Sequence, residues 1–250
     1  MKCGCQLSQR TQIVGLPYHL KPRLLSGLKK SELEFLMSVA KHRQLHAGTV
    51  IVQQEDPAEH FFLLTSGQGR HFVMTDKGRK ILLLWLTAGQ VFGGASMMEA
   101  PSQYLASMEL VTGGCVWMWD RQTIREFTSR CPRLLDNCFS IAVTAHVAWF
   151  VASQISLMSD DARGRVAHLL VSLACAIGRD TPSGIQLDIT NEDLSAGANV
   201  TPFTVSRILS DWQREGVVRK GRGKVLLRNP FLLAPGEPET TDVQVNTSAF

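Results

Sequence analysis

No uninterrupted apolar run in this sequence approaches the ~18 residues that a bilayer-crossing helix needs. The densest are residues 81–86 and the interrupted stretch 169–177, so a membrane-spanning chain is not expected. The first residues carry no apolar core of the secretory kind. The six cysteines (Cys3, Cys5, Cys115, Cys131, Cys138 and Cys175) are therefore not expected to form a secreted disulfide framework. A reducing, cytoplasmic setting is the expectation. Also missing are paired carboxylates, Walker and Rossmann glycine patterns, a nucleophile elbow and a His/Cys cluster at metal-ligand spacing. Neither catalytic residues nor a metal site is expected, and the chain does not read as an enzyme.

What the chain does have is length, apolar content and unevenly spread charge. Its 250 residues, 44% of them hydrophobic, suffice for two domains with cores of their own. A net charge of +4 decides little by itself. Its distribution decides more. Between Arg214 and Arg228 stand six bases (Arg214, Arg219, Lys220, Arg222, Lys224, Arg228) against the single acid Glu215, whereas past Pro235 the only charges are Glu237, Glu239 and Asp242. Phosphate-seeking charge is concentrated in one short segment.

That segment closes a run, residues 190–228, that reads as two short capped helices and a basic hairpin. Thr190 and Asp193 make a capping box, residues 197–200 break the first helix, and Thr201-Pro202 opens a second with a cap and a proline at its first position. Two helices joined by so short a turn have helix-turn-helix spacing. In the second, Val205, Ile208, Leu209 and Trp212 recur at helical spacing and bury one face. Thr201, Phe203, Thr204, Ser206, Arg207 and Ser210 lie elsewhere on the surface. The stretch 220–224, Lys-Gly-Arg-Gly-Lys, reads as the turn of a hairpin, a wing beside the second helix.

Upstream, residues 43–119 hold short β-rich runs at 49–52, 61–64, 71–74, 81–86 and 115–119, divided by glycine and proline corners. Such spacing predicts a small antiparallel barrel or roll, flanked by helices over 29–42, with Ser31 as cap, and over 120–129. From Pro132 to about Met158 no glycine or proline interrupts a helical pattern with two apolar stripes. One stripe runs through Leu134, Cys138, Ile141, Ala145, Ala148, Ala152 and Ile155. The other holds Phe139, Val143, Val147, Phe150, Gln154 and Leu157. A helix apolar on two faces buries both. The economical arrangement sets one stripe on its own roll and the other (Val143, Val147, Phe150, Gln154, Leu157) against the same helix of a second copy.

Roll, long helix and winged helix-turn-helix, in that order, resemble the CRP/FNR family of bacterial transcription regulators. The resemblance covers roughly residues 24–230. It is carried by Ala47-Gly48-Thr49-Val50-Ile51, Glu55-Asp56, Phe61-Phe62-Leu63-Leu64-Thr65-Ser66-Gly67 and Ala88-Gly89-Gln90-Val91-Phe92-Gly93 in the roll, by Gly164-Arg165-Val166, and most specifically by Thr204-Val205-Ser206-Arg207-Ile208-Leu209. It implies an α+β chain, with an N-terminal extension (1–22), an antiparallel β-roll of double-stranded jelly-roll type (23–130), a dimerisation helix (131–159), a winged helix-turn-helix (160–234) and a disordered tail (235–250). It also implies a homodimer on palindromic double-stranded DNA, a signal at the roll that reorients the DNA-reading domains, and RNA polymerase as a further partner. Thr201, Pro202, Phe203, Thr204, Ser206 and Arg207 would face the DNA, with Arg207 forking onto a guanine and Arg222 and Lys224 on phosphates. Pro202-Phe203 departs from the Arg or Glu usual in relatives, and Phe203 either meets a thymine methyl or packs on Leu194.

The signal is less determined. Cyclic-AMP-binding members hold the ribose with Gly-Glu, the phosphate with Arg-Ser and the base with Thr-Ser on the long helix. The matching positions here are Gly93-Gly94, with Ala95 and Ser96 following, Tyr104-Leu105 and Phe150-Val151. Without those polar groups a bound cyclic phosphate would lie unpaired in an apolar site, so cyclic AMP is not the expected effector. An iron-sulfur cluster would need four thiolates where Cys3, Cys5 and Cys115 offer three, and haem would need His71 or His146 as axial ligand. A metabolite, thiol redox chemistry, or no ligand at all remain open. So does the alternative of a dimeric redox, haem or metabolite sensor or scaffold with weak or no DNA binding.

Overall fold

The computed structural model describes residues 22–233. Cys3, Cys5, most of the expected N-terminal extension and the expected tail fall outside those residues.

The roll consists of two four-stranded antiparallel sheets. One has the order β1-β8-β3-β6, from Lys41–Leu45, Gly114–Asp120, His60–Ser66 and Val91–Phe92. The other runs β2-β7-β4-β5, from Val50–Val52, Ser107–Leu110, Gln68–Met74 and Lys80–Thr87. Strand β3 shows how the sequence builds this. Alternate residues point to opposite faces of a strand, and here both faces are apolar. Phe62 and Leu64 enter the core between the sheets with Leu86, Phe92 and Met108. Phe61 and Leu63 enter a second core with Leu36, Trp119, Ile124 and Leu134. That second core seats helices α1 (Lys30–Ser38) and α2 (Arg121–Arg130) against the roll. The α1 helix is capped at Lys29, whose amide donates to Glu32 at 2.7 Å, so Ser31 is not its cap. It stops at Ser38, and His42 belongs to β1 instead. Strands β1, β6 and β7 had no clear sequence signal. Lys41–Leu45 is largely polar, and Val91–Phe92 is only 2 residues long.

The long helix is Pro132–Ser159, 28 residues in three pieces: α3 (Pro132–Ile141), a π-helical turn (Ala142–Val147) and α4 (Ala148–Ser159). The wide turn slips the register of the stripes. Leu134 and Ile141 of the expected inner stripe are buried, but Ala148 and Ile155 face outward. Trp149 and Ser156 take over the inner face, Trp149 through an Nε1–H donated to the Leu83 carbonyl at 2.5 Å. Pro132–Ser159 is, by length and composition alone, apolar enough to cross a membrane, a test that the pairing helix of a two-chain assembly passes as well. A count of unbroken apolar runs passes over a helix whose apolar residues are interleaved with Ser, Thr and His.

The C-terminal region packs α5 (Ala162–Ile177), α6 (Asn191–Ala198) and α7 (Pro202–Arg214) on a sheet of order β11-β12-β10-β9, from Val218–Gly221, Lys224–Leu227, Gly184–Leu187 and Arg179–Thr181. The β9-β10 hairpin was not anticipated. The α6 capping box is present, Asp193 N donating to Thr190 Oγ1 at 3.1 Å and Thr190 N to Asp193 Oδ2 at 3.2 Å. What ends α6 is Asn199 in a left-handed conformation (φ 51°), not Gly197. Gly197 lies inside the helix for a packing reason: a Cβ there would come within 2.7 Å of Leu169 Cδ2 and 3.3 Å of Leu82 on the roll.

Candidate functional site

The start of α7 is held by its own side chains. Thr204 N donates to Thr201 Oγ1 at 3.1 Å, and the two hydroxyls lie 2.8 Å apart. Val205, Ile208, Leu209 and Trp212 are buried as the spacing required. Thr201, Pro202, Phe203 and Arg207 are exposed, and Thr204 and Ser206 half-buried. Phe203, 78% exposed, does not pack on Leu194. A free ring at the open end of a helix is apolar surface that lowers free energy once covered. Arg207 has no ion pair or hydrogen bond among the described residues, so its fork is available.

The hairpin β11-β12 stands beside α7 and is tied to it. Lys220 Nζ donates to Ser210 Oγ at 2.8 Å and Lys220 N to Gln213 Oε1 at 3.0 Å. Lys220 is thus half-withdrawn into structure, while Arg222 is exposed at the turn with no ion pair among the described residues. Lys224 stays exposed, 3.9 Å from Asp188. The exposed N-terminal face of α7 and the basic hairpin tip together offer an apolar ring, hydroxyls and free cations, the mix that duplex grooves and phosphates accept.

The roll positions form no comparable constellation. Gly93 (φ +79°) is dictated by backbone, since a Cβ there would fall 2.5 Å from the His60 carbonyl. Gly94, Ala95 and Ser96 continue into a tight turn fastened by the Arg121 guanidinium, which donates to the carbonyls of Ser96, Met98 and Glu99 at 3.1, 3.0 and 2.8 Å. Tyr104 is buried, its hydroxyl accepting from His60 N and donating to His60 O, each at 2.9 Å. Leu105 is 88% exposed and points away. Phe150 and Val151 are exposed on α4.

Sequence reasoning missed the contact between the roll and the C-terminal region. Arg70 on β4 donates to Glu109 at 2.5 Å and pairs with Asp193 at the start of α6, and Lys80 Nζ meets the same Glu109 oxygen at 2.6 Å. Arg79 bonds Asn199. Trp85 of β5 sits inside the C-terminal region's core with Leu170, Leu194 and Val205. No local signal marks these partners; Arg70 and Glu109 are 39 residues apart and meet only because β4 pairs with β7. Partial burial opposes ionisation of Glu109, but hydrogen bonds from Lys80 and Arg70 outweigh it and hold the carboxyl below its usual range. Its folded pKa being depressed, Glu109 stabilises the docked arrangement above the ordinary carboxylate range, and that contribution is lost as acid protonates it in the folded state. Arg70→Ala should lower unfolding stability by about 1–3 kcal/mol, because it leaves Asp193 and Glu109 short of a cation; an unchanged denaturation midpoint would show the network to be idle. Next to these pairs lies a cavity of about 660 Å³ lined by Leu82, Trp149, Phe150, Arg165, His168 and Leu169 among others.

No described residue covers the outer face of the long helix. Phe139 is 71% exposed, and Val143, Val147, Phe150, Gln154 and Leu157 are all exposed too. Such a continuous apolar stripe is the mark of an interaction surface.

Comparison with known proteins agrees with both halves. A Crp-like helix-turn-helix domain model matches residues 164–235, and a cyclic nucleotide-binding domain model matches residues 42–131. The cyclic AMP receptor protein of Thermus thermophilus is 28% identical over 84% of this chain and 94% of its own length. The anaerobic regulatory protein of Bacillus subtilis is 22% identical over 88% and 94%. In fold, the chain is similar to the c-di-GMP responsive global regulator CLP of Xanthomonas campestris, with a TM-score of 0.71 at 16% identity over 80% of this chain and 100% of that one.

Proposed function

Because this chain belongs to the CRP/FNR family of DNA-binding transcription regulators, we propose that it acts as a homodimer on a palindromic DNA site, under a signal other than cyclic AMP. The observation that carries this is the free Arg207 on the exposed N-terminal face of α7, beside a basic hairpin braced to the same helix. In this reading α7 enters the major groove. Arg207 forks onto guanine O6 and N7, and Phe203 lies on a thymine methyl. Thr201, Pro202, Thr204 and Ser206 line the groove, and Arg222 and Lys224 meet phosphates. Val143, Val147, Phe150, Gln154 and Leu157 cover their counterparts across a two-fold axis, which brings the two readers to successive major grooves about 34 Å apart. The segments 23–130, 131–159 and 160–234 then serve as sensor, pairing helix and reader. Contact with RNA polymerase follows from the family, and DNA as partner favours a cytoplasmic setting.

Selection from a random DNA pool tests this. A palindrome should emerge, and binding should weaken steeply with salt. Arg222→Ala should reduce the slope of log K against log salt by about 1 per half-site without changing the selected sequence. A pool that selects nothing at low salt would leave a scaffold and remove the regulator.

Cyclic AMP, which names the Thermus relative, is not carried over to this chain. The reading is supported by Tyr104, whose hydroxyl is committed to the β3 backbone at the position where a phosphate-holding arginine would stand. It is also supported by the apolar Phe150 and Val151 on the helix. A phosphate there would lack a cation and donors, and an unpaired buried charge is far costlier than an unpaired neutral group. Calorimetry with cyclic AMP should give no binding in the submicromolar range; heat saturating at one nucleotide per chain in that range would overturn this.

A further inference from the structure

We propose that the cavity between the β4-β5 hairpin, the long helix and α5 is a binding site for one small hydrophobic carboxylate per chain. At about 660 Å³ it has the size of a small-molecule site. Gly93, Gly94, Ser96 and Tyr104 are not among its walls, so it is distinct from the roll positions considered above.

Three parts of the chain build those walls. Leu82 and Leu83 of β5 come from the roll, Trp149, Phe150 and Ser153 from the long helix, and Leu169 of α5 from the C-terminal region. The indole N–H of Trp149 is already donated to the Leu83 carbonyl at 2.5 Å, so what the ring adds to the wall is apolar. The π-helical turn that brings Trp149 inward therefore shapes this cavity, as wide turns do at functional positions. Gly197, Leu169 and Leu82 also line it and meet too closely for a Cβ on the glycine, so packed side chains shut one side. Such walls favour an apolar body, whose transfer from water lowers free energy with the area covered.

One charge in the wall has no counter-ion. Arg165 is half-buried, and its Nε and Nη1 donate to the Ala198 and Asp160 carbonyls at 3.0 and 2.9 Å. Those bonds hold the guanidinium in place without neutralising it. Its Nη2 has no hydrogen bond, and its charge no ion pair, among the described residues. The carboxylates that precede it on the chain are engaged elsewhere, Asp160 with Ser156 Oγ at 2.5 Å and Asp161 with Gly164 N at 2.7 Å. His168, one turn further along α5, lines the same cavity and has no hydrogen bond among the described residues. The remaining charges in the lining are Lys77 and Arg79 against the single acid Asp76.

A half-buried cation beside apolar walls gains from a charged acceptor, because charge-assisted hydrogen bonds are the strong ones. The planar fork suits a carboxylate. A single fixed guanidinium balances the single charge of that group, whereas a phosphate monoester carries more. The ligand would touch the roll, the long helix and the C-terminal region at once, so its affinity depends on how they are set against one another. On the regulator reading proposed above, and resting on it, that difference in affinity is what would shift the reader between arrangements. Phe150, Gln154 and Leu157 line the cavity as well as the proposed pairing face, so a paired helix would roof it.

The test titrates the full chain by calorimetry with decanoate and 4-phenylbutanoate, each beside its uncharged alcohol. At least one acid should saturate at one molecule per chain with a dissociation constant below about 100 μM, and its alcohol should bind at least about tenfold more weakly. Decanoate as the tighter acid makes the ligand's body aliphatic, 4-phenylbutanoate aromatic. Ser153→Trp puts bulk into the cavity and removes no hydrogen bond that Ser153 makes among the described residues. It should weaken binding at least about tenfold while unfolding stays cooperative. Arg165→Gln should bring acid and alcohol to similar affinity. If it fails to fold for want of its bonds to the Ala198 and Asp160 carbonyls, Ser153→Trp carries the test alone. No saturation by either acid, an alcohol as tight as its acid, or unchanged affinity in Ser153→Trp would each overturn the assignment. A mobility-shift titration reads the coupling separately: DNA affinity unmoved by a bound acid removes the regulatory link and leaves the site.

Discussion

Val143→Asp combined with Val147→Asp is expected to yield a folded monomer that has lost at least two orders of magnitude of affinity for the selected palindrome. Both valines are exposed in the single chain, 44% and 51%, so their replacement takes little from the fold. In a two-fold pair, by contrast, each would bring a carboxylate into a buried apolar seam beside its symmetry mate, where desolvation and like-charge repulsion each oppose association. One reader bound alone forfeits the effective concentration that a tethered second reader supplies, commonly 10²–10⁴-fold. Sedimentation velocity and a mobility-shift titration measure the two halves of this result. A double variant that still sediments as a dimer would move the pairing surface off this face of the long helix.

Arg207→Ala should cost about 1–3 kcal/mol per half-site, roughly 5- to 150-fold, and relax the preference at one symmetric base-pair position rather than weaken all sequences alike. The reason is geometric. A guanidinium offers two parallel donors to guanine O6 and N7, whereas phosphate contacts do not distinguish bases. Arg207→Lys separates the two roles, because it keeps the charge and loses the fork. Repeating the DNA selection with each variant is the measurement. If the selected site and its affinity are unchanged in Arg207→Ala, base reading belongs to another residue on α7.

The capping residues Thr190, Asp193 and Thr201, the buried stripe of α7 and the β-rich run at 61–64 were legible because each rests on neighbours a few positions away along one helix or strand. The π turn was not. One extra residue in a helical turn leaves no mark on composition, yet it carried Ala148 and Ile155 outward and brought Trp149 in. Asn199 as the end of α6, and Gly197 as a packing residue rather than a breaker, depended on Leu82 and Leu169, which approach from elsewhere in the chain. Of the roll positions inferred from family resemblance, Tyr104 proved to be engaged with backbone and Leu105 to face solvent.

Local order and periodicity in the sequence therefore determined the parts of this protein: roll, long helix, reader and basic hairpin, with Arg207 on an outward face. Tertiary structure alone decided how the parts meet. The Arg70, Glu109, Lys80 and Asp193 cluster and the insertion of Trp85 into the reader's core join residues distant in sequence. Periodicity fixes which side of an element is apolar, but the strength and partner of a charge depend on distance and dielectric, and those exist only once the chain has folded.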